Sequence, residues 1–141
     1  MKPVLYAEDN PDDVFFMQHV WGLANIPNPL LCVKNGHEAI DYLAGHGAFA
    51  DRAIHPLPCL LLLDLKMPSK DGFEVLAWVR QQPELRFLKV VIFSSSSLPR
   101  DIDKAQALGS DDYVVKSSLP RELLEMIQTK RKSWLPESDQ Q

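Results

Sequence analysis

No run of apolar residues in this chain approaches the roughly 20 that a membrane-spanning helix requires. Cysteine is scarce: only Cys32 and Cys59 occur, and neither has a companion at metal-ligand spacing, which argues against a zinc site. Both fall inside or beside apolar segments and read as small buried hydrophobes. Positive charge is not in excess either. Fifteen Lys and Arg against 19 Asp and Glu leave a net charge of −4 and a pI near 5.5, which speaks against a dedicated nucleic-acid binder. Repeats, low-complexity linkers and composition shifts are missing, so the 141 residues are expected to form one domain of common size, burying about two-thirds of its unfolded surface. The opening Met1-Lys2-Pro3-Val4 passes straight into an apolar segment without the pattern of a signal peptide, which leads us to expect a cytoplasmic protein.

What the chain does have is an alternation of short apolar runs with longer helical patterns, five times over. The runs are Val4–Ala7, Leu30–Val33, Cys59–Leu63, Val90–Phe93 and Tyr113–Val115. After the first, Asn10-Pro11-Asp12-Asp13 supplies an N-cap, a proline at the first helical turn and two acids that suit the helix dipole. Val14, Phe16, Met17, Val20, Trp21, Leu23 and Ala24 then share one half of a helical wheel, with Phe15 on the other half. Asn35-Gly36 reads as a turn before a helix over Glu38–Ala44, and Gly45–Pro58 as an unusually long connection. A third helix is expected over Phe73–Gln82 and a fourth from Pro99 and Asp101 to Gly109. Ser118 is expected to cap a fifth, holding Leu123, Met126, Ile127 and Trp134. The domain is expected over residues 1–135, with Pro136–Gln141 as a disordered tail. Strands apolar on both faces belong in a parallel sheet covered by helices. Such alternation implies a doubly wound α/β fold, flavodoxin-like, with a five-stranded parallel sheet in the order 2-1-3-4-5.

In an open sheet of that kind the ligand crevice lies at the carboxyl ends of the strands. Glu8-Asp9, Asp64, Ser94 and Lys116 each follow a strand and would meet there. Adjacent acids repel one another, and a divalent cation shared with a third carboxylate relieves that repulsion. Hard oxygen ligands without His or Cys favour Mg²⁺. Asp64 can attack phosphorus to form an acyl phosphate, with the cation on one side of the phosphoryl group, Lys116 as a point charge on the other, and the Ser94 hydroxyl at a third oxygen.

Four segments taken together carry a resemblance: Glu8-Asp9-Asn10-Pro11, Leu63-Asp64-Leu65-Lys66-Met67-Pro68 with Asp71-Gly72, Val91-Ile92-Phe93-Ser94, and Tyr113-Val114-Val115-Lys116. In this order they resemble the signature of bacterial response-regulator receiver domains, over about Pro3 to Lys132. The resemblance implies that Asp64 accepts a phosphoryl group from the phosphohistidine of a sensor histidine kinase or a histidine phosphotransfer protein. It also implies Mg²⁺ on Glu8, Asp9, Asp64 and the backbone carbonyl of Lys66. Ser94 and Lys116 would contact the phosphoryl group, and Tyr113 would reorient when Ser94 moves. Asn-Pro-Asp-Asp, the long connection before Cys59, Lys116-Ser117 and the ending around Trp134-Leu135 are similar to single-domain regulators paired with phytochrome-type kinases. The implied activity is that of a signalling switch rather than an enzyme. Output would pass through protein contacts, and Trp134 and Leu135 suggest pairing with a second copy across the face of the fourth and fifth helices.

Two positions depart from the receiver pattern. Ser117 stands where most receivers have a proline joined by a cis bond, and cis before a non-proline costs about 2.5–4 kcal/mol. The bond is therefore either strained or trans with a reshaped loop. Ser94 replaces the commoner threonine and should be freer about χ1. Phe15, beside the crevice on the polar side of its helix, is a candidate docking point for the kinase. Two alternatives stay open. One is a Mg²⁺-dependent phosphohydrolase with an aspartate nucleophile, although Lys66 stands where such enzymes carry an acid. The other is a pseudo-receiver that folds but is never phosphorylated.

Overall fold

The computed structural model describes residues 1–136, so the expected disordered tail lies, from residue 137 on, outside the described residues. Strands β1 (Val4–Ala7), β2 (Leu30–Val33), β3 (Leu60–Leu63), β4 (Lys89–Ser94) and β5 (Asp112–Val115) form one parallel sheet in the order β2-β1-β3-β4-β5. Between and after them run α1 (Pro11–Leu23), α2 (Gly36–Ala44), α3 (Gly72–Gln81), α4 (Pro99–Ala107) and α5 (Pro120–Trp134). Every residue of β1 and β3 is buried, while the flanking β2 and β5 are only partly so. The strand period of 2 then divides the core. Leu5, Ala7, Leu61, Leu63 and Ile92 face α2, α3 and α4, whereas Val4, Tyr6, Leu62, Val91 and Phe93 face α1 and α5. The chain must start in the middle of the sheet for helices to cover both faces, and it does.

Several local expectations change. In α1 only Met17, Val20 and Trp21 are buried, joined by Ala24 at the C-cap, and Phe16 and Leu23 are exposed. The wheel assigned half a cylinder to the core, but a helix lying on a sheet with one helical neighbour, α5, buries a narrower stripe. Asn35-Gly36 is no separate turn. The Asn35 side chain accepts from Glu38 N at 2.7 Å, so α2 begins at Gly36. The long connection before β3 holds a 3₁₀ turn at Gly47–Phe49 and is pinned by Arg52, which donates to the carbonyls of Tyr42, Leu43 and His55. Ser118 does not cap α5; the N-cap is Leu119, and the Ser117 hydroxyl joins Leu119 N and the Glu122 carboxylate. Cys32 and Cys59 are half-buried rather than fully so, because Cys32 lies in the partly covered β2 and Cys59 precedes β3.

Trp134 and Leu135 pack into the α1/α5 core, with the Trp134 indole donating to Asp112 Oδ2 at 3.0 Å. They cannot cover a second copy, and the exposed apolar residues on that side are instead Leu98, Val115 and Leu119. The peptide bond from Lys116 to Ser117 is trans, so the loop is reshaped rather than strained.

One close approach shapes the crevice floor. Gly72 N donates to Leu65 O at 2.9 Å, and a Cβ on Gly72 would lie 2.3 Å from the carbonyl oxygen of Asp64. Any side chain there forces the backbone carrying Asp64 to move. Gly72→Ala should cost about 1–3 kcal/mol by overpacking, read from urea unfolding; a loss within experimental error would show that the loop gives way freely.

Candidate functional site

The sheet ends deliver the acids from neighbouring strands. Glu8 and Asp9 follow β1, Asp64 follows β3, and β1 and β3 pair directly from Val4 with Leu60 to Ala7 with Leu63. Backbone bonds extend the pairing, with Asp64 N donating to Ala7 O at 3.1 Å and Glu8 N to Val33 O at 3.0 Å. Glu8 and Asp64 are buried and Asp9 is exposed. One ligand oxygen from each of the three lies within 4.8 Å of the others. Oxygens opposite one another around an octahedral Mg²⁺ are about 4.2 Å apart, since each bond is 2.0–2.1 Å. The spacing and the all-oxygen donor set therefore fit a hard divalent cation. Lys66 is exposed, and its N–H reaches Asp64 Oδ1 at 3.5 Å.

Lys116, after β5, crosses to this cluster. Its ammonium lies 2.6 Å from Glu8 Oε1, 2.8 Å from Asp13 Oδ2 and 3.5 Å from Asp64 Oδ2. The Lys116 N–H also donates to Ser94 O at 2.7 Å, which ties the β5 end to β4. Burial alone would lower the lysine's pKa, but its bonds to Asp13 and Glu8 outweigh that and push it up. Burial and the charge of Asp64 push the Glu8 carboxyl up as well, to about 7, although the bond from Lys116 holds it down.

Asp13 was not among the expected site residues. The sequence marks it only as a first-turn acid, but the first turn of α1 starts at the crevice and the Asp13 side chain meets Lys116 there. Tyr6 was missed as well: its hydroxyl donates to Glu8 Oε1 at 3.1 Å. The available signal was the period of 2, which puts Tyr6 and Glu8 on one face of the strand. A hollow of about 450 Å³ opens over this group, walled by Asn10, Ser95, Ser117 and Ser118.

Ser94 is fully buried, and it is Ser95 that lines the hollow. The Ser94 hydroxyl accepts from Ser96 N at 3.1 Å, so it is held rather than free. Tyr113 is half-buried and donates to Ser96 O at 2.8 Å. Ser96 thus links Ser94 to Tyr113, and its own hydroxyl bonds Asp101 at 2.6 Å in the first turn of α4. In the sequence Ser96 is one of four consecutive serines, and nothing in that run singles it out. Phe15 is 72% exposed and lines a separate hollow of about 460 Å³ with Glu8, Asp9, Val14, Cys32 and Lys34.

Residues 4–128 match the response regulator receiver domain family. The chain belongs to that family. This receiver is 33% identical over 134 residues to the response regulator Rcp1 of Synechocystis, covering 95% of this chain and 89% of that one. Among solved structures it is similar to the phosphorylated cyanobacterial phytochrome response regulator RcpA, with a TM-score of 0.86 and 32% identity over 94% of this chain and 93% of that one. The Mn²⁺-bound form of Rcp1 gives a TM-score of 0.85 and 32% identity over 97% and 96%. A response regulator of red light signalling in R. palustris gives 0.90 and 34% over 96% and 94%. No described helix is long and apolar enough to cross a membrane.

The raised pKa of Glu8 makes a pH prediction. With the folded value near 7 and the ordinary value at 4.5, the metal-free folded state binds the proton more tightly than the unfolded chain does. The Glu8 contribution to stability therefore falls as pH rises from 4.5 to 7. Melting in chelator across that window should show this downward trend in the wild type and a flatter one in Glu8→Gln; equal slopes would refute the assignment.

Proposed function

We propose that the receiver, over residues 1–135, works as a stand-alone, phosphorylation-controlled switch whose phosphoacceptor is Asp64. The observation that carries this is the convergence of three cation-spaced carboxylate oxygens and the Lys116 ammonium on one buried aspartate. Glu8, Asp9 and Asp64, with the carbonyl of Lys66, would hold Mg²⁺, which when bound neutralises charge on the phosphoryl oxygens. An Asp64 carboxylate oxygen attacks phosphorus, the bond from phosphorus to the donor's imidazole nitrogen breaks, and the nitrogen leaves with the electron pair. Lys116 turns from Asp13 and Glu8 toward the new phosphoryl oxygens. Ser94 exchanges its bond to Ser96 N for a third oxygen, which loosens the Ser96 carbonyl that holds Tyr113.

That rearrangement alters the face carrying Leu98, Val115 and Leu119, where a downstream protein or a second copy would bind. Phosphorylation thus shifts a population between two packings. Similarity to phytochrome response regulators over more than nine-tenths of the chain supports a phytochrome-type sensor histidine kinase as donor, acting in the cytoplasm, directly or through a phosphotransfer protein. Phe15 and the hollow beneath it, next to the acid pair, would seat the donor's helices. The phosphohydrolase alternative loses support because Lys66 is exposed and cannot serve as the acid beside Asp64. The acid set disfavours a pseudo-receiver.

Acetyl phosphate with Mg²⁺ should add the mass of one phosphoryl group to the wild type and none to Asp64→Asn, read by intact-mass spectrometry. An unmodified wild type would mark a pseudo-receiver, and many turnovers on a small phosphate ester would mark a hydrolase. Phe15→Ala should slow transfer from the cognate kinase about tenfold or more, as loss of an aromatic anchor does, while leaving labelling by acetyl phosphate unchanged. A native kinase rate would rule out the docking role.

A further inference from the structure

Glu8 lies in the least forgiving place for a ligand carboxylate: buried, at a strand end, beside two other acids. Its oxygens are accounted for donor by donor. Oε1 takes the Tyr6 hydroxyl at 3.1 Å and the Lys116 ammonium at 2.6 Å, and Oε2 takes Asn10 N at 3.2 Å. A carboxylate accepts at about four lone-pair positions, so Oε2 retains capacity for a cation. Of the two donors on Oε1, Lys116 is the one that leaves when a phosphoryl group arrives. Tyr6 cannot leave. It is fully buried in β1, and its ring meets Phe93 edge-on with centroids 6.1 Å apart. Phe93 in turn lies beneath Lys116, whose ammonium is 5.8 Å from the ring centre.

We propose that Tyr6 is a positioning residue for the cation site, its hydroxyl pinning the inner oxygen of Glu8 so that the carboxylate keeps its ligand orientation with or without Lys116. The role rests on the cation site proposed above. It is specific to the hydroxyl and not to the ring, because phenylalanine would fill the same space between β1 and β4 while offering Glu8 no donor. Outer hydrogen bonds to ligating carboxylates fix their orientation, and losing one typically weakens metal binding 10–100-fold.

The test is calorimetric titration of the full chain with Mn²⁺, comparing wild type, Tyr6→Phe, Glu8→Gln and the double variant. Tyr6→Phe should weaken Mn²⁺ binding about tenfold or more while the metal-free chain stays cooperatively folded, with its melting temperature lowered only as far as the loss of one buried hydrogen bond does. In the Glu8→Gln background the same change should have no further effect. The Mg²⁺ concentration for half-maximal labelling by acetyl phosphate should rise by the same factor, with the rate at saturating Mg²⁺ retained. Unchanged Mn²⁺ affinity in Tyr6→Phe would overturn the proposal, as would an equal loss in both backgrounds. If Tyr6→Phe unfolds the metal-free chain, the hydroxyl's role is structural and the proposal is wrong. Failure of the wild type to bind Mn²⁺ would overturn the cation site and Tyr6's role together, a result distinct from a wild type that binds and a variant that binds equally well.

Discussion

Repulsion among carboxylates organises the working end of this protein. Glu8, Asp9, Asp13 and Asp64 gather there because β1, α1 and β3 all end or begin at the same edge, and the Lys116 ammonium bonds three of them at once. The lysine cross-links the ends of β5, β1 and β3 and the first turn of α1, segments more than 100 residues apart in the case of Lys116 and Glu8. One cation cannot balance four acids. The surplus negative charge that remains suits a divalent cation, and through Asp64 it adds to the burial that raises the pKa of Glu8.

The connection from this charge balance to the outer surface runs through short hydrogen bonds that alternate between backbone and hydroxyl groups. Ser94 and Lys116 share a hydrogen bond across the β4 and β5 ends, Ser94 holds Ser96 N, and Ser96 holds Tyr113 and Asp101. Each link is a single hydrogen bond, so the linkage has no redundancy. Ser117 fits this picture. In place of a proline ring, its hydroxyl ties Lys116's neighbour to the first turn of α5 through Leu119 N and Glu122. The loop is fastened by hydrogen bonds where proline would fasten it by covalent restraint.

Much of this was legible in the linear chain, and for identifiable reasons. Leu60–Leu63 and Val4–Ala7 announce buried parallel strands because no polar residue interrupts them, and the carboxylates that follow are committed to the strand ends. Strand order followed from the need to cover both faces. Errors arose where the neighbour decides the outcome. Phe16 and Leu23 match the apolar pattern of α1 but face no second layer, and Trp134 and Leu135 look like surface anchors but fill the gap between α1 and α5. Capping was missed at α5 because the helix start shifted by one residue and passed the bonding role from Ser118 to Ser117.

By itself the sequence determined the sheet, the layers and the edge at which Glu8, Asp9, Asp64 and Lys116 would gather, because strand periodicity and parallel pairing leave little freedom in where a residue at a strand end can go. Only the tertiary structure decided which partners those groups take. That Lys116 divides itself among Glu8, Asp13 and Asp64 depends on distances of a few tenths of an ångström between segments far apart in the chain. Hydrogen bonding falls off over that range, and no linear pattern records it.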